Sequence, residues 1–169
     1  MRAKRVKAHD SAFSFPMPKK DRGFTLVELL VVISIIVILA SLAIPAALRT
    51  RLQSNETAAI GNLRTISSAA ESFRGTQNPP SYPPDFATMV NSNPAYLDTA
   101  WLSNQRQGYI YTFENGQQGE AYGATARPRI PNFTGINSFC VDHTAVIRSY
   151  GSGGAMGNGD GCDPSGNPI

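Results

Sequence analysis

Lysine is absent from this 169-residue sequence after position 20, and histidine and cysteine occur only twice each. Two cysteines exclude a scaffold dense in disulfides and a zinc cluster of several cysteines, but they allow one disulfide. Two histidines leave little material for acid–base or metal chemistry, and no phosphate-binding glycine loop or zinc-ligand spacing is found. We therefore expect one domain of modest size that is not an enzyme.

Charge is distributed unevenly along the chain. Residues 1–23 contain seven basic and two acidic side chains (7 − 2 = +5), so the remainder of this +3 chain carries −2. A basic excess on its own would suggest an anionic partner such as nucleic acid. Because the excess is confined to the segment that ends at Gly23, we predict no nucleic-acid partner for the isolated protein.

An unbroken run of apolar and small residues follows, from Leu29 to Ile44. Counted from Phe24 the segment has 21 residues, and a helix of that length spans about 31 Å, which is one hydrocarbon core. A strand of this length would be rare, although β-branched residues are frequent. Basic residues before the run predict a single-pass membrane helix with a cytoplasmic N-terminus.

Glu28 is the one charged residue of this span. A carboxylate costs about 2.5–3.5 kcal/mol at the centre of a membrane helix and less near the interface. Glu28 lies about 6 Å inside the span, so it can reach the headgroups. Alternatively it pairs with a cation, and a free amine at Phe24, created by cleavage after Gly23, would supply one.

Residues 20–33, KDRGFTLVELLVVI, resemble the class III signal sequence of type IV pilins and type II secretion pseudopilins. That family has a basic leader, glycine before the cut, an apolar residue after it and glutamate at the fifth mature position. Gly23, Phe24 and Glu28 match these positions, and Pro45 is similar to the helix-kinking proline of the family. The resemblance covers about residues 19–75, and the leader is longer than the usual short type.

The resemblance implies a processing and assembly route. A prepilin peptidase/methyltransferase would cut between Gly23 and Phe24 and methylate the Phe24 amine. An inner-membrane assembly platform would then move the subunit from the inner membrane into a helical homo-oligomer, a periplasmic or cell-surface filament. In the apolar core a Phe24 amine–Glu28 pair would be poorly screened and would set the axial register, and Pro45 would bend or loosen the helix. A pilus and a secretion pseudopilus both remain open.

Two other classes of protein also remain open. Leu29–Ala43 has the length of a signal-peptide core, and Ser41 and Ala43 have the spacing of a signal peptidase site. Cleavage there would release a soluble protein that begins at Ile44. An uncleaved helix would instead hold a monomeric binding module on the inner membrane.

Helical spacing continues beyond Pro45 as one apolar stripe, which Gly75 and Pro79-Pro80 end. The stripe consists of Leu52, Ala59, Leu63, Ile66, Ala70 and Phe73. We predict a leader (1–23), a membrane or filament-core helix (24–45), its amphipathic half (46–75) and a periplasmic or extracellular head (76–169). The fold class is α+β and pilin-like, with one long helix packed on a small antiparallel sheet.

Alternation and turn residues predict the elements of the head. Helical turns are expected at Phe86–Val90 and Tyr96–Leu102, and a break at Arg127–Pro131. Strands are expected at Tyr109–Phe113, Glu120–Ala126, Ser138–Val141 and Ala145–Arg148.

The C-terminal segment contains the remaining candidate chemistry. Cys140 and Cys162 are the only cysteines, and an oxidising periplasm would favour a disulfide between them over two free thiols or a weak metal site. Asn158, Asp160 and Asp163 offer side-chain oxygens on a glycine-rich loop. Calcium prefers oxygen ligands, so Asp160 and Asp163 are candidate calcium ligands, although such a loop is also typical of a solvated tail.

Overall fold

The computed structural model describes residues 23–151, 154 and 156–169. Apart from Gly23, the predicted leader lies outside the described residues. Contacts divide the chain into two units, with the boundary between Ser41 and Leu42.

Helix α1 (Leu26–Arg74) has 49 residues and includes Pro45 without interruption. An 18-residue window within it has a mean hydropathy of 2.9 and is not buried against any other part of the described chain. By length and composition α1 can therefore cross a membrane. The predicted long helix is confirmed, and it begins two residues later than Phe24 because Thr25 caps it.

The C-terminal part of α1 buries one face against the head. The buried positions are Ala59, Leu63, Ile66, Ser67, Ala69, Ala70 and Phe73. The predicted stripe is therefore the packing face, although Leu52 is only half-buried. α1 ends where Gly75 donates its N–H to the Glu71 carbonyl at 3.0 Å.

Three short helical segments follow α1 in the described residues, the last of them a 3₁₀ turn at Gln117–Gly119. Helix α2 (Phe86–Asn91) is capped by Asp85, whose carboxylate accepts the Thr88 N–H at 2.8 Å. A 3₁₀ helix (Thr99–Ser103) is shorter than the predicted turn at 96–102 and begins after Asp98, which caps it in the same way. The peptide bonds before Pro79 and Pro94 are cis.

An antiparallel sheet forms the rest of the head, with strands in the order β1-β2-β3-β4-β5-β8, and β6 and β7 form a separate hairpin. The strands are β1 (Gln105–Arg106), β2 (Tyr109–Asn115), β3 (Tyr122–Pro128), β4 (Ser138–Asp142), β5 (Ile147–Tyr150), β6 (Gly157–Asn158), β7 (Gly161–Cys162) and β8 (Asn167–Pro168).

Several boundaries in the sheet differ from the predictions, and β1, β6, β7 and β8 were not predicted at all. β3 extends to Pro128, opposite Tyr109, so the predicted break begins only at Arg129. A proline is tolerated there because β3 pairs with β4 only from Gly123 to Ala126, so that Pro128 has a strand on one side only, as at a sheet edge. β5 begins at Ile147 because Ala145, with φ 59°, belongs to the preceding turn. β8, near the C-terminus, was not predicted as a strand, and it pairs with β5.

Tyrosine side chains join α1 to the sheet across the core. The buried Tyr122 hydroxyl donates to Ser67 Oγ at 2.9 Å. Asn62 Nδ2 donates to the Tyr111 hydroxyl, also at 2.9 Å. Within the described residues no buried side-chain nitrogen or oxygen lacks a hydrogen-bond partner. The helix therefore has one fixed rotation about its own axis relative to the sheet.

Candidate functional site

The predicted cleavage site immediately precedes the first turn of α1. Thr25 is the N-cap: its Oγ1 accepts the Glu28 N–H at 3.2 Å, and its carbonyl accepts the Leu29 N–H at 3.2 Å. Gly23 and Phe24 lie before this cap in backbone without regular secondary structure, and Phe24 is 85% exposed. Both residues are exposed and lie outside the helix, so the peptide bond between Gly23 and Phe24 is accessible to a peptidase.

Glu28 occupies the first turn of α1, where the positive end of the helix dipole favours a carboxylate. Its side chain is exposed, and the described structure places no basic side chain within ion-pair distance of it. The large apolar residues that surround it in sequence are also exposed, from Phe24 to Leu48. Pairing of Glu28 with an amine at Phe24 stays a prediction.

Pro45 lies within α1, where its missing N–H leaves the Ser41 carbonyl without its helical donor. The helix continues on both sides of this position. Its predicted bending or loosening stays a prediction, since α1 is described here as one uninterrupted element.

Two polar residues of α1 bind the loop between β3 and β4. Glu56 accepts the backbone N–H groups of Ile136 and Asn137 at 2.7 and 3.0 Å, and the Asn137 side-chain amide at 3.3 Å. Asn55 Nδ2 donates to the Thr134 carbonyl at 2.9 Å. We call these four hydrogen bonds the helix–loop clamp.

The apolar stripe does not include Asn55, Glu56 and Asn62, so their role was not predicted from the sequence. A signal was nevertheless present. Asn55, Ala59, Asn62 and Ile66 are spaced by four, three and four residues, so both asparagines border the buried stripe on one helical face. Polar residues that border an apolar stripe are well placed to meet the polar edge of a partner.

The C-terminal loop is attached to the sheet at two neighbouring points. The Sγ atoms of Cys140 and Cys162 are bonded, with 5.8 Å between their Cα atoms. Asp142, 7% exposed at the end of β4, accepts the Thr144 N–H at 2.9 Å, the Thr144 hydroxyl and the Cys162 N–H at 3.1 Å. Burial would raise the pKa of Asp142, but these hydrogen bonds outweigh it and lower the pKa below its usual range.

The two candidate calcium ligands border an open concavity beside Asp142 and Asn158. One Asp163 oxygen accepts the Ser165 N–H at 2.8 Å, and the hydrogen bonds from Ser165 lower the pKa of Asp163. Both Asp142 oxygens are already used by protein donors. In the part of the chain described, no three His, Cys, Asp or Glu side chains cluster to hold a metal ion. Calcium at Asp160 and Asp163 would therefore need carbonyl and water ligands, and it stays a prediction.

Comparison with known proteins gives matches along most of the chain. Residues 18–44 match the family model described as the prokaryotic N-terminal methylation motif. The type IV major pilin protein PilA of Myxococcus xanthus is 31% identical over 147 residues, which are 82% of this chain and 62% of that relative. The type IV wide pilus major component PilA4 of Thermus thermophilus is 34% identical over 95 residues, 54% of this chain and 71% of that relative.

Neither alignment covers the full length of the relative. The aligned region spans less than two thirds of the length of the Myxococcus protein. No solved structure matches the chain significantly.

Proposed function

The chain belongs to the type IV pilin family, and on that premise we propose that it is the structural subunit of a type IV pilus. Both relatives are named as major pilus components, which favours a pilus over a secretion pseudopilus and a structural role over an enzymatic one. The subunit would be made as a membrane precursor, processed, and assembled with copies of itself.

The observation that carries this proposal is the exposed first part of α1. From Leu29 to Leu48 the helix has no charged residue. Each of its large apolar side chains exposes about half of its surface or more. Water is an unfavourable environment for such a surface, at a cost of about 25 cal/mol per Å² of apolar area. A bilayer would cover it before assembly, and helices of neighbouring copies would cover it in a filament.

Processing would act on the residues just before the helix cap. We propose cleavage after Gly23 by a prepilin peptidase/methyltransferase, followed by N-methylation of Phe24. This removes the basic leader and leaves a mature chain of formal side-chain charge −2 without lysine. The Phe24 amine would pair with Glu28 of the same or a neighbouring subunit. An assembly platform in the inner membrane would extract the processed subunit, whose head would lie in the periplasm and later outside the cell.

Intact mass spectrometry of the protein from membranes and from sheared filaments tests the processing steps. We expect a chain that begins at Phe24 and carries one added methyl group. A chain that begins at Ile44 would indicate a secreted soluble protein, and an intact leader would indicate an uncleaved anchor. Either result would overturn the proposal.

Two variants test the roles of Gly23 and Glu28. Gly23→Val should leave uncleaved precursor, and because a Cβ at Gly23 meets no atom within 4 Å, a defect would arise at the peptidase rather than in the fold. Glu28→Gln should be cleaved but yield few filaments. Glu120→Gln, an exposed charge change in the head, is the matched control and should assemble normally. Normal filaments from Glu28→Gln would contradict the register role of the pair.

A further inference from the structure

Exposed apolar side chains in the head are concentrated in one loop. After α1, and within the described residues, the large exposed hydrophobics are Leu102, Ile130, Phe133, Ile136, Val146 and Ile169. Three of these six belong to the loop 129–137 between β3 and β4, which we call the Phe133 loop. Phe133 itself is 69% exposed.

Internal hydrogen bonds give the Phe133 loop a defined shape. The Ile130 carbonyl accepts the N–H groups of Phe133 and Thr134 at 3.1 and 2.9 Å, and Asn132 donates to the Gly135 carbonyl at 2.9 Å. A Cβ at Gly135 would lie 2.1 Å from the Tyr109 hydroxyl oxygen, so the loop backbone lies directly on that ring. The exposed side chains therefore project from a backbone that is hydrogen-bonded within the loop and packed on Tyr109.

The helix–loop clamp fixes this base to α1. Asn55 and Glu56 use their polar groups on the inner side of the loop, where they satisfy its backbone. The apolar side chains of Ile130, Phe133 and Ile136 remain on the outside. Exposed apolar side chains grouped on one surface commonly mark a contact with another molecule.

The position of the loop along α1 disfavours the bilayer as its partner. The predicted 21-residue span begins at Phe24 and ends at Ile44. Asn55 lies eleven residues further along the helix, which corresponds to about 17 Å. Two exposed charged residues, Arg49 and Arg51, occupy the helix between these points. The clamp therefore attaches the backbone of the loop to α1 beyond the last residue of the predicted span.

Chemical complementarity favours a second copy of this chain. The Phe133 loop has one charged side chain, the exposed Arg129 at its start, and residues 130–137, which include its apolar side chains, have none. Residues 29–48 of α1 also have no charged side chain. We propose that the Phe133 loop is a subunit interface, whose apolar side chains pack against the uncharged part of α1 of a neighbouring copy. This inference rests on the proposed pilus function and specifies a contact within it.

Cysteine accessibility tests the interface in the assembled protein. The single variants Phe133→Cys and Val146→Cys are expressed as full chains in the native host without its wild-type copy. Cys140 and Cys162 are bonded to each other, so only the new thiol reacts with a maleimide. Val146 is the matched control because it is exposed and apolar but lies at the opposite end of β4.

Each variant is labelled in three states: held in membranes, in intact sheared filaments, and after dissociation of the filaments in mild detergent. We expect the Phe133→Cys thiol to react in membranes and in detergent and to lose about tenfold in labelling rate in filaments, since burial restricts access. The Val146→Cys thiol should react similarly in all three states. Absence of filaments for Phe133→Cys alone, at normal membrane levels, would also support the interface.

Other outcomes overturn the inference. Equal labelling of Phe133→Cys in filaments and in detergent would show that no neighbour covers the loop. Protection already in membranes would identify the bilayer as the partner. Loss of filaments in both variants would show that the effect is not specific to this loop. If the wild-type chain forms no filaments at all, the proposed function fails, and this interface fails with it.

Discussion

Replacement of Asp142 by asparagine should destabilise the head, because the carboxylate uses both of its oxygens. Oδ1 accepts the N–H and hydroxyl of Thr144, and Oδ2 accepts the Cys162 N–H. Asparagine has the same shape but presents an NH₂ group in place of one oxygen. In either orientation of the amide, an N–H of Thr144 or Cys162 then faces another donor.

The expected loss follows from the burial of this site. Asp142 is 7% exposed, so a donor without an acceptor there costs about 2 kcal/mol. For the unit that contains the head, each kcal/mol lost from the free energy of unfolding lowers the melting temperature by roughly 4 °C. The Asp142→Asn variant should therefore melt about 8 °C below the wild type. The assay is thermal unfolding of the full chain in detergent at pH 7, followed by circular dichroism. Glu114→Gln, an exposed charge change on β2, is the control and should melt within about 2 °C of the wild type.

The same variant has a defined pH dependence. Hydrogen bonds keep the pKa of Asp142 below its usual value although burial opposes them. A carboxylate with a lowered folded-state pKa contributes stability that is complete above the unfolded value, near pH 4, and is lost as the pH falls through the folded value. The difference between wild type and Asp142→Asn should thus be largest at pH 7 and shrink toward pH 2. A difference that is equal at both pH values, or no larger than that of Glu114→Gln, would refute this reasoning.

Three further substitutions test the contacts that define the head and the helix start. Replacing Cys140 and Cys162 together by serine should lower the free energy of unfolding by about 3 kcal/mol in urea, because the 22-residue separation sets the loop that the disulfide closes. Tyr122→Phe should cost about 1 kcal/mol in the same assay, since its buried hydroxyl donates to Ser67, and an unchanged midpoint would contradict that bond. Thr25→Val should remove the cap of α1 and speed amide exchange in its first turn about fivefold, whereas Thr25→Ser should retain the wild-type rate.

The buried face of α1 could be predicted because burial follows the local period of the helix. Ala59, Leu63 and Ile66 recur at spacings that place them on one side, and all three are fully buried. The helix–loop clamp could not be predicted in the same way. Asn55 and Glu56 bind groups 79 to 81 positions further along the chain. Most of those groups are backbone N–H and C=O, which every residue has, so the sequence contains no marker for them.

In the sheet, too, local sequence patterns predicted some strands, whereas pairing between distant segments could not be predicted. Alternation located the centre of β2, since Tyr109, Tyr111 and Phe113 point to the core. The edge strand β8 consists of Asn167 and Pro168, which have low strand propensity. It pairs with Arg148 and Ser149 of β5, which are distant in sequence, so a local pattern does not indicate the pairing.

The part of α1 that the head does not cover is longer than a bilayer span. The 21 residues from Phe24 end at Ile44, whereas the first buried residue of α1 is Ala59. Between them Leu48 is exposed, and the clamp holds a second apolar surface outward at Asn55 and Glu56. A bilayer core alone cannot cover this interval, because it lies beyond the hydrocarbon edge. We therefore propose, in keeping with the proposed pilus function, that neighbouring subunits cover the apolar side chains of this interval and of the Phe133 loop.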